Sequence, residues 1–140
     1  VARQGPPLNQ VWKDSCLEFF FAPAVEDGRY LNFEFNPKGA MYLAFGRNFP
    51  KRIRQLPDDG SLFAASPFRT ENGWGLEFQV PAEFVQYYFP GFVLRGRAHC
   101  NFYKCADESR TPHYLSWAAL PAGVRTFHCR EHFGTIVFEN

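Results

Sequence analysis

The sequence predicts an all-β domain, an antiparallel β-sandwich of the immunoglobulin or jelly-roll kind with one short helix. Three observations carry this. Two neighbouring runs, residues 16–21 and 30–36, alternate with period two. Aromatics make up 19% of the chain, with 17 Phe, and aromatic side chains suit a pleated, half-buried surface. Finally, 11 Pro and 11 Gly punctuate the 140 residues at short intervals, the spacing of strands joined by turns.

The elements follow in order. Residues 1–10 read as an extended lead-in with Gly5, Pro6 and Pro7. In the first strand Leu17, Phe19 and Phe21 share a face, with Glu18 and Phe20 on the other. A loop with Pro23, Asp27 and Gly28 leads to the second strand. There Leu31, Phe33 and Phe35 are set against Asn32, Glu34 and Asn36. The pair gives one oily face and one polar face with two carboxylates. A turn at Pro37, Lys38 and Gly39 leads to a third strand, Met41 to Phe45, and the pattern then breaks from Gly46 to Gly60. Arg47, Lys51, Arg52 and Arg54 lie there and read as a solvated loop. Asn72-Gly73 marks a second hairpin, with its return strand from Trp74 to Val80. Pro81 to Val85 suits a short helix with Pro at its first position. Strands are expected within 94–105, 113–117 and 133–138, with Trp117 in the core. The total is about seven strands.

The bulk numbers exclude some functions. Fifteen basic against 14 acidic residues leave a net charge of +1, so no global field favours nucleic acid or an anionic membrane. No apolar run approaches the ~20 residues a spanning helix needs. Cys100 and Cys105, five apart on one strand, point to opposite faces and do not pair with each other. All four cysteines read as buried free thiols, with one bridge between distant strands left open. His128-Cys129-x-x-His132 is the tightest cluster of metal-ligand types, but its spacing is not a standard zinc pattern.

In sequence order, Trp12 to Phe20, Tyr30 to Asn36, Asn101 to Ser109, His113 to Trp117, Phe127-His128 and His132 to Thr135 resemble the family 9-like carbohydrate-binding domains attached to xylanases and related glycoside hydrolases. The resemblance spans about residues 12–139. It implies a single, non-catalytic sugar-binding sandwich with the family's first strands absent. Two aromatics would enclose the sugar: Trp12, six residues before Glu18, and Phe127, six before Phe133, where the better-known branch has Trp. Glu18 matches the family's hydroxyl-binding Glu, and Glu34 stands where that branch presents Arg. Rings cover the C–H face of a pyranose, while carboxylates and amides such as Asn32 take its hydroxyls.

The expectation is recognition of a plant-type glycan or oligosaccharide through Trp12, Glu18, Asn32, Glu34 and Phe127, alongside a glycoside hydrolase. The resemblance favours a secreted or extracellular setting, though free cysteines also suit the cytoplasm. Structural calcium is implied too, with Asp58, Asp59, Asp107 and Glu108 as hard oxygen donors but no assigned ligand set. Two alternatives stand beside this reading. One is an interaction module that has lost the sugar site, with Trp12 buried under the lead-in and Glu18 and Glu34 paired to Arg95 or Arg97. The other is a glycoside hydrolase using Glu18 and Glu34.

Overall fold

The structure, a computed structural model, describes residues 2–3, 10–48, 51–55 and 61–139, with the backbone alone at Gln55. Nine strands and one α-helix are present among them: β1 Cys16–Ala22, β2 Tyr30–Phe35, β3 Met41–Gly46, β4 Arg52–Gln55, β5 Ser66–Thr70, β6 Gly73–Glu77, α1 Ala82–Tyr88, β7 Gly96–Cys105, β8 Leu115–Ser116 and β9 Gly134–Phe138. All the pairings are antiparallel. The main sheet runs β4-β3-β2-β1-β7-β8, and β9 also pairs with β7. The ten-residue β7 serves both partners: Gly96 to Cys100 takes β9, and Tyr103 and Lys104 take β8.

Period-two alternation decides what each face buries. Phe21, Leu31, Phe33, Phe35 and Leu43 form the core with Phe63, Val85, Phe89 and Phe92. The covering layer is the β5–β6 hairpin with α1 and the segments around them. Burying a Phe or Leu fully stabilises the fold by about 1.5–3 kcal/mol per side chain, so this face dominates stability. The opposite face carries Glu18, Asn32 and Glu34, all buried, flanked by two smaller apolar clusters around Tyr42 and Phe20.

Four expectations change. The solvated loop after β3 contains an edge strand, β4, whose Ile53 is 66% exposed. Arg52 and Arg54 pattern it as an edge protected by charge, so no oily alternation announces it. Trp117 is 55% exposed, not core, because β8 lies at the margin of the sheet. Its ring packs edge-on against Phe102 and over Gly134, where an added Cβ would meet the indole. Pro81 precedes α1 as its N-cap instead of opening it, and the helix runs on to Tyr88. Finally, neither Arg95 nor Arg97 pairs with Glu18 or Glu34. The ion pairs among the described residues are Lys13–Glu108 and Arg29–Asp27. All four cysteines are free and buried, as expected.

Candidate functional site

On the polar face lies a cleft of about 800 Å³ whose lining includes Trp12, Glu18, Glu34, Arg52, Cys105 and Phe127. Its floor comes from three adjacent strands. The β1–β2 register sets Glu18 directly opposite Glu34, and the β1–β7 register sets it opposite Tyr103. Side chains opposite one another on a sheet face have Cβ atoms about 4.5–5.5 Å apart. The floor therefore holds two close carboxyls, each under a tenth exposed.

Burial dominates their chemistry. Desolvation pushes the Glu18 carboxyl well above the usual range, and the nearby Cys105 adds to this. Glu34 is also pushed well up, first by burial and then by Glu18. Arg52, reaching in from β4, opposes both shifts. Asn32 Nδ2 donates to Glu34 Oε1 at 2.7 Å, and Arg52 Nη1 donates to Asn32 Oδ1 at 3.1 Å. The chain Arg52–Asn32–Glu34 leaves two buried atoms without a partner among the described residues, Glu34 Oε2 and Arg52 Nε. One accepts and the other donates. Leaving such groups bare is costly, and both residues line the cleft.

Aromatic rings form the rims. Trp12 lies in a 3-10 turn, Val11–Lys13, anchored by the fully buried Val11. The turn is sewn to the end of β7: Asp107 N donates to Trp12 O at 3.3 Å and Glu108 N to Lys13 O at 3.0 Å. The half-buried indole meets Tyr42 edge-on at 5.1 Å. Phe127 stacks on Tyr103 at 4.1 Å, and the Tyr103 hydroxyl donates to Phe127 O at 3.1 Å. Both rings pack against the same buried cluster of Cys16, Tyr42 and Cys105.

Four of the five sequence-predicted site residues thus meet in one cleft. The fifth, Asn32, is fully buried behind it and orients Glu34 and Arg52. Arg52 is the residue the sequence reading missed. In sequence it is one of four basic residues, with Arg47, Lys51 and Arg54, in a stretch that reads as a solvated loop. Nor does the pattern single out Asn101. Fully buried, it accepts from Ala118 N at 2.9 Å and donates to Ala118 O at 3.2 Å. It thereby fixes the start of the connection that forms the far wall.

The His128–His132 cluster does not assemble as a metal site. Tyr30 OH lies 2.8 Å from His128 Nδ1, His128 stacks on Phe20, and Cys129 Sγ donates to Thr126 O. Burial pushes His128 down to about 3, so it is neutral at physiological pH. Of the carboxylates considered for calcium, Asp58 and Asp59 lie outside the described residues. Asp107 lines the cleft, and Glu108 pairs with Lys13 at 2.9 Å. None of the described helices is long and apolar enough to cross a membrane.

The sequence profile of carbohydrate-binding family 9 matches residues 1–138. The chain is also similar to a crystal structure from Bacteroides uniformis, of a protein to which carbohydrate binding has been ascribed. The two are 30% identical with a TM-score of 0.75, over 94% of this chain and 64% of that one. The chain therefore spans a little under two thirds of that protein. No curated protein matches it. By the match along nearly its whole length, and by a fold shared at that identity, this chain belongs to carbohydrate-binding family 9.

Proposed function

We propose that the cleft binds a plant-type glycan or oligosaccharide without chemical turnover. Trp12 stacks on a pyranose C–H face, and Phe127 closes the opposite rim. Glu18, Glu34 and Arg52 take the hydroxyls, with Asn32 holding the last two in place. One observation carries the reading. The cleft floor presents a bare buried acceptor, Glu34 Oε2, and a bare buried donor, Arg52 Nε, beneath an aromatic rim. A sugar hydroxyl both donates and accepts, so an array of hydroxyls satisfies both atoms. Arg52 also supplies, from β4, the cation that the family resemblance leads one to expect where Glu34 stands on β2.

Affinity per site is modest, because each hydroxyl–protein bond replaces a hydroxyl–water bond. In this reading the domain holds an associated glycoside hydrolase to its polysaccharide outside the cell. The test is calorimetric titration of wild type and Trp12→Ala against a panel of soluble oligosaccharides. Wild type should bind at least one, and the variant about tenfold or more weaker, since aromatic contacts contribute about 0.5–1.5 kcal/mol beyond buried area. Equal affinity in both would remove Trp12 from the site.

The opposed carboxyls invite the hydrolase reading, since a retaining glycosidase uses two carboxyls about 5–5.5 Å apart. Family membership favours binding. Turnover of aryl glycosides that disappears in Glu34→Gln would reverse that choice.

A further inference from the structure

The cleft floor holds a second grouping, which shares Glu18 with the proposed sugar site and adds two thiols that sugar binding does not use. Cys16 on β1 and Cys105 on β7 are direct cross-strand partners, and Glu18 lies two residues along β1 on the same face. The two sulfurs and a Glu18 oxygen all lie within 4.8 Å of one another, and all three residues are buried. Around a tetrahedral zinc with Zn–S near 2.3 Å, ligand atoms stand roughly 3.5–3.8 Å apart. Small side-chain rotations would close the set. The donors are two sulfurs and one oxygen, which suits a borderline-soft cation and not calcium, which takes oxygen ligands.

We infer that Cys16, Glu18 and Cys105 form a zinc site at the base of the cleft. Cys105 and Glu18 line the cleft, while the fully buried Cys16 lies behind them. The metal therefore enters from the cleft and leaves its fourth position open to water on that side. A second observation points the same way. Glu34, directly opposite Glu18, keeps a buried oxygen without a partner. Four groups that can carry negative charge thus share one buried floor, with Arg52 as the cation acting on both carboxyls. A divalent cation offsets that charge at its source.

Protonation describes the metal-free state. Burial pushes the Cys16 thiol well up, while its hydrogen bond to Cys105 holds the Cys105 thiol below its ordinary range. Glu18, pushed up by burial, also bonds to Cys105. In the metal-free chain the Cys105 Sγ donates to Trp12 O at 3.4 Å. A thiol must lose its proton to ligate zinc, so binding should release protons. The inference stands without the sugar reading. Should both sites hold, they share Glu18, and each ligand would change the other's affinity by the same factor.

The experiment titrates cobalt(II), then zinc, into the reduced full chain with no sugar present. Cobalt should give a thiolate-to-metal charge-transfer band that saturates near one equivalent, and zinc should abolish it. Calorimetry of zinc binding in buffers of different ionisation enthalpy should report the proton release. Cys105→Ser should lose the band and weaken zinc binding by more than about a hundredfold, beyond what outer-shell changes cost. Glu18→Gln should keep a two-thiolate band with weakened affinity, which guards against misfolding of the cysteine variant. Cys129→Ser should bind metal as wild type does, and because no sugar is present the metal result does not depend on the sugar reading. Absence of the band in folded, reduced wild type, or its persistence in Cys105→Ser, would overturn the site.

Discussion

Replacing Glu34 by Gln should make the metal-free protein more stable, and increasingly so as pH rises. Glu34 is 4% exposed and faces Glu18 across the β1–β2 register. Burial pushes its carboxyl well up, and Glu18 adds to this. The folded chain therefore holds this proton more tightly than the unfolded chain, whose Glu titrates near ~4.3. The stability from a raised carboxyl is fully present below that ordinary value. It is lost as pH climbs through the folded pKa. The loss is about 1.4 kcal/mol per pH unit for one proton. Asn32 and Arg52 oppose the shift but do not reverse it. Gln keeps the shape and an oxygen to accept from Asn32 Nδ2, but cannot ionise. The stability difference between variant and wild type should grow by up to about 1.4 kcal/mol per pH unit above pH ~4.5, then level off above the folded pKa. Removing the charge also relieves Glu18, which works in the same direction. Urea denaturation of both proteins from pH 5 to 9, in the presence of a chelator, measures this directly. A difference independent of pH across that range would refute the buried-carboxyl account, as would a wild type that gains on the variant as pH rises.

Other outcomes follow from the same geometry. His128 is pushed down to about 3 by burial, so its contribution is present above its ordinary pKa near 6.5 and lost as pH falls toward 3. His128→Phe should flatten the acid limb of the stability curve by up to about 1.4 kcal/mol per unit, as read from thermal melts between pH 3.5 and 7. Asn101→Ala strips three contacts, to Phe102 N and to both backbone groups of Ala118. It should cost about 1–3 kcal/mol for each buried group left bare, seen as a lower urea midpoint and faster exchange of the Ala118 amide. Gly46 holds φ +141°, and an added Cβ would overlap the Lys51 carbonyl and lie 2.9 Å from Arg52 Cα. Gly46→Ala should therefore cost about 1–3 kcal/mol and weaken sugar binding by displacing Arg52. A variant that binds sugar unchanged would show that β4 does not position the site.

The local pattern of the sequence reveals part of this design. The alternation of Phe19, Phe21, Phe33 and Phe35 against Glu18, Asn32 and Glu34 separates core face from cleft face before any pairing is known, because strand side chains alternate strictly. What pattern cannot reveal is which strands lie side by side. β1 pairs with β7 across some 80 residues of chain, so the meeting of Cys16 with Cys105 follows from topology, not spacing. Arg52 escaped for another reason. Edge strands carry charge and lack a buried alternation, so Arg52-Ile53-Arg54 reads as a loop until Asn32 is seen to hold its guanidinium. Trp117 misled because a large ring implies burial. At the end of the two-residue β8 it is instead covered on one side only.

The central claim is that sugar sits against Trp12. The chain has three Trp, each with one indole N–H that gives its own signal in a nitrogen–proton correlation spectrum. Trp12 lines the cleft, whereas Trp74 donates to Ser15 Oγ at 3.0 Å and Trp117 lies on the outer margin. Titrating the best oligosaccharide of the panel should shift the Trp12 indole signal in a saturable way and leave the other two in place. Movement of the Trp117 signal instead, or of none at saturating sugar, would contradict the account.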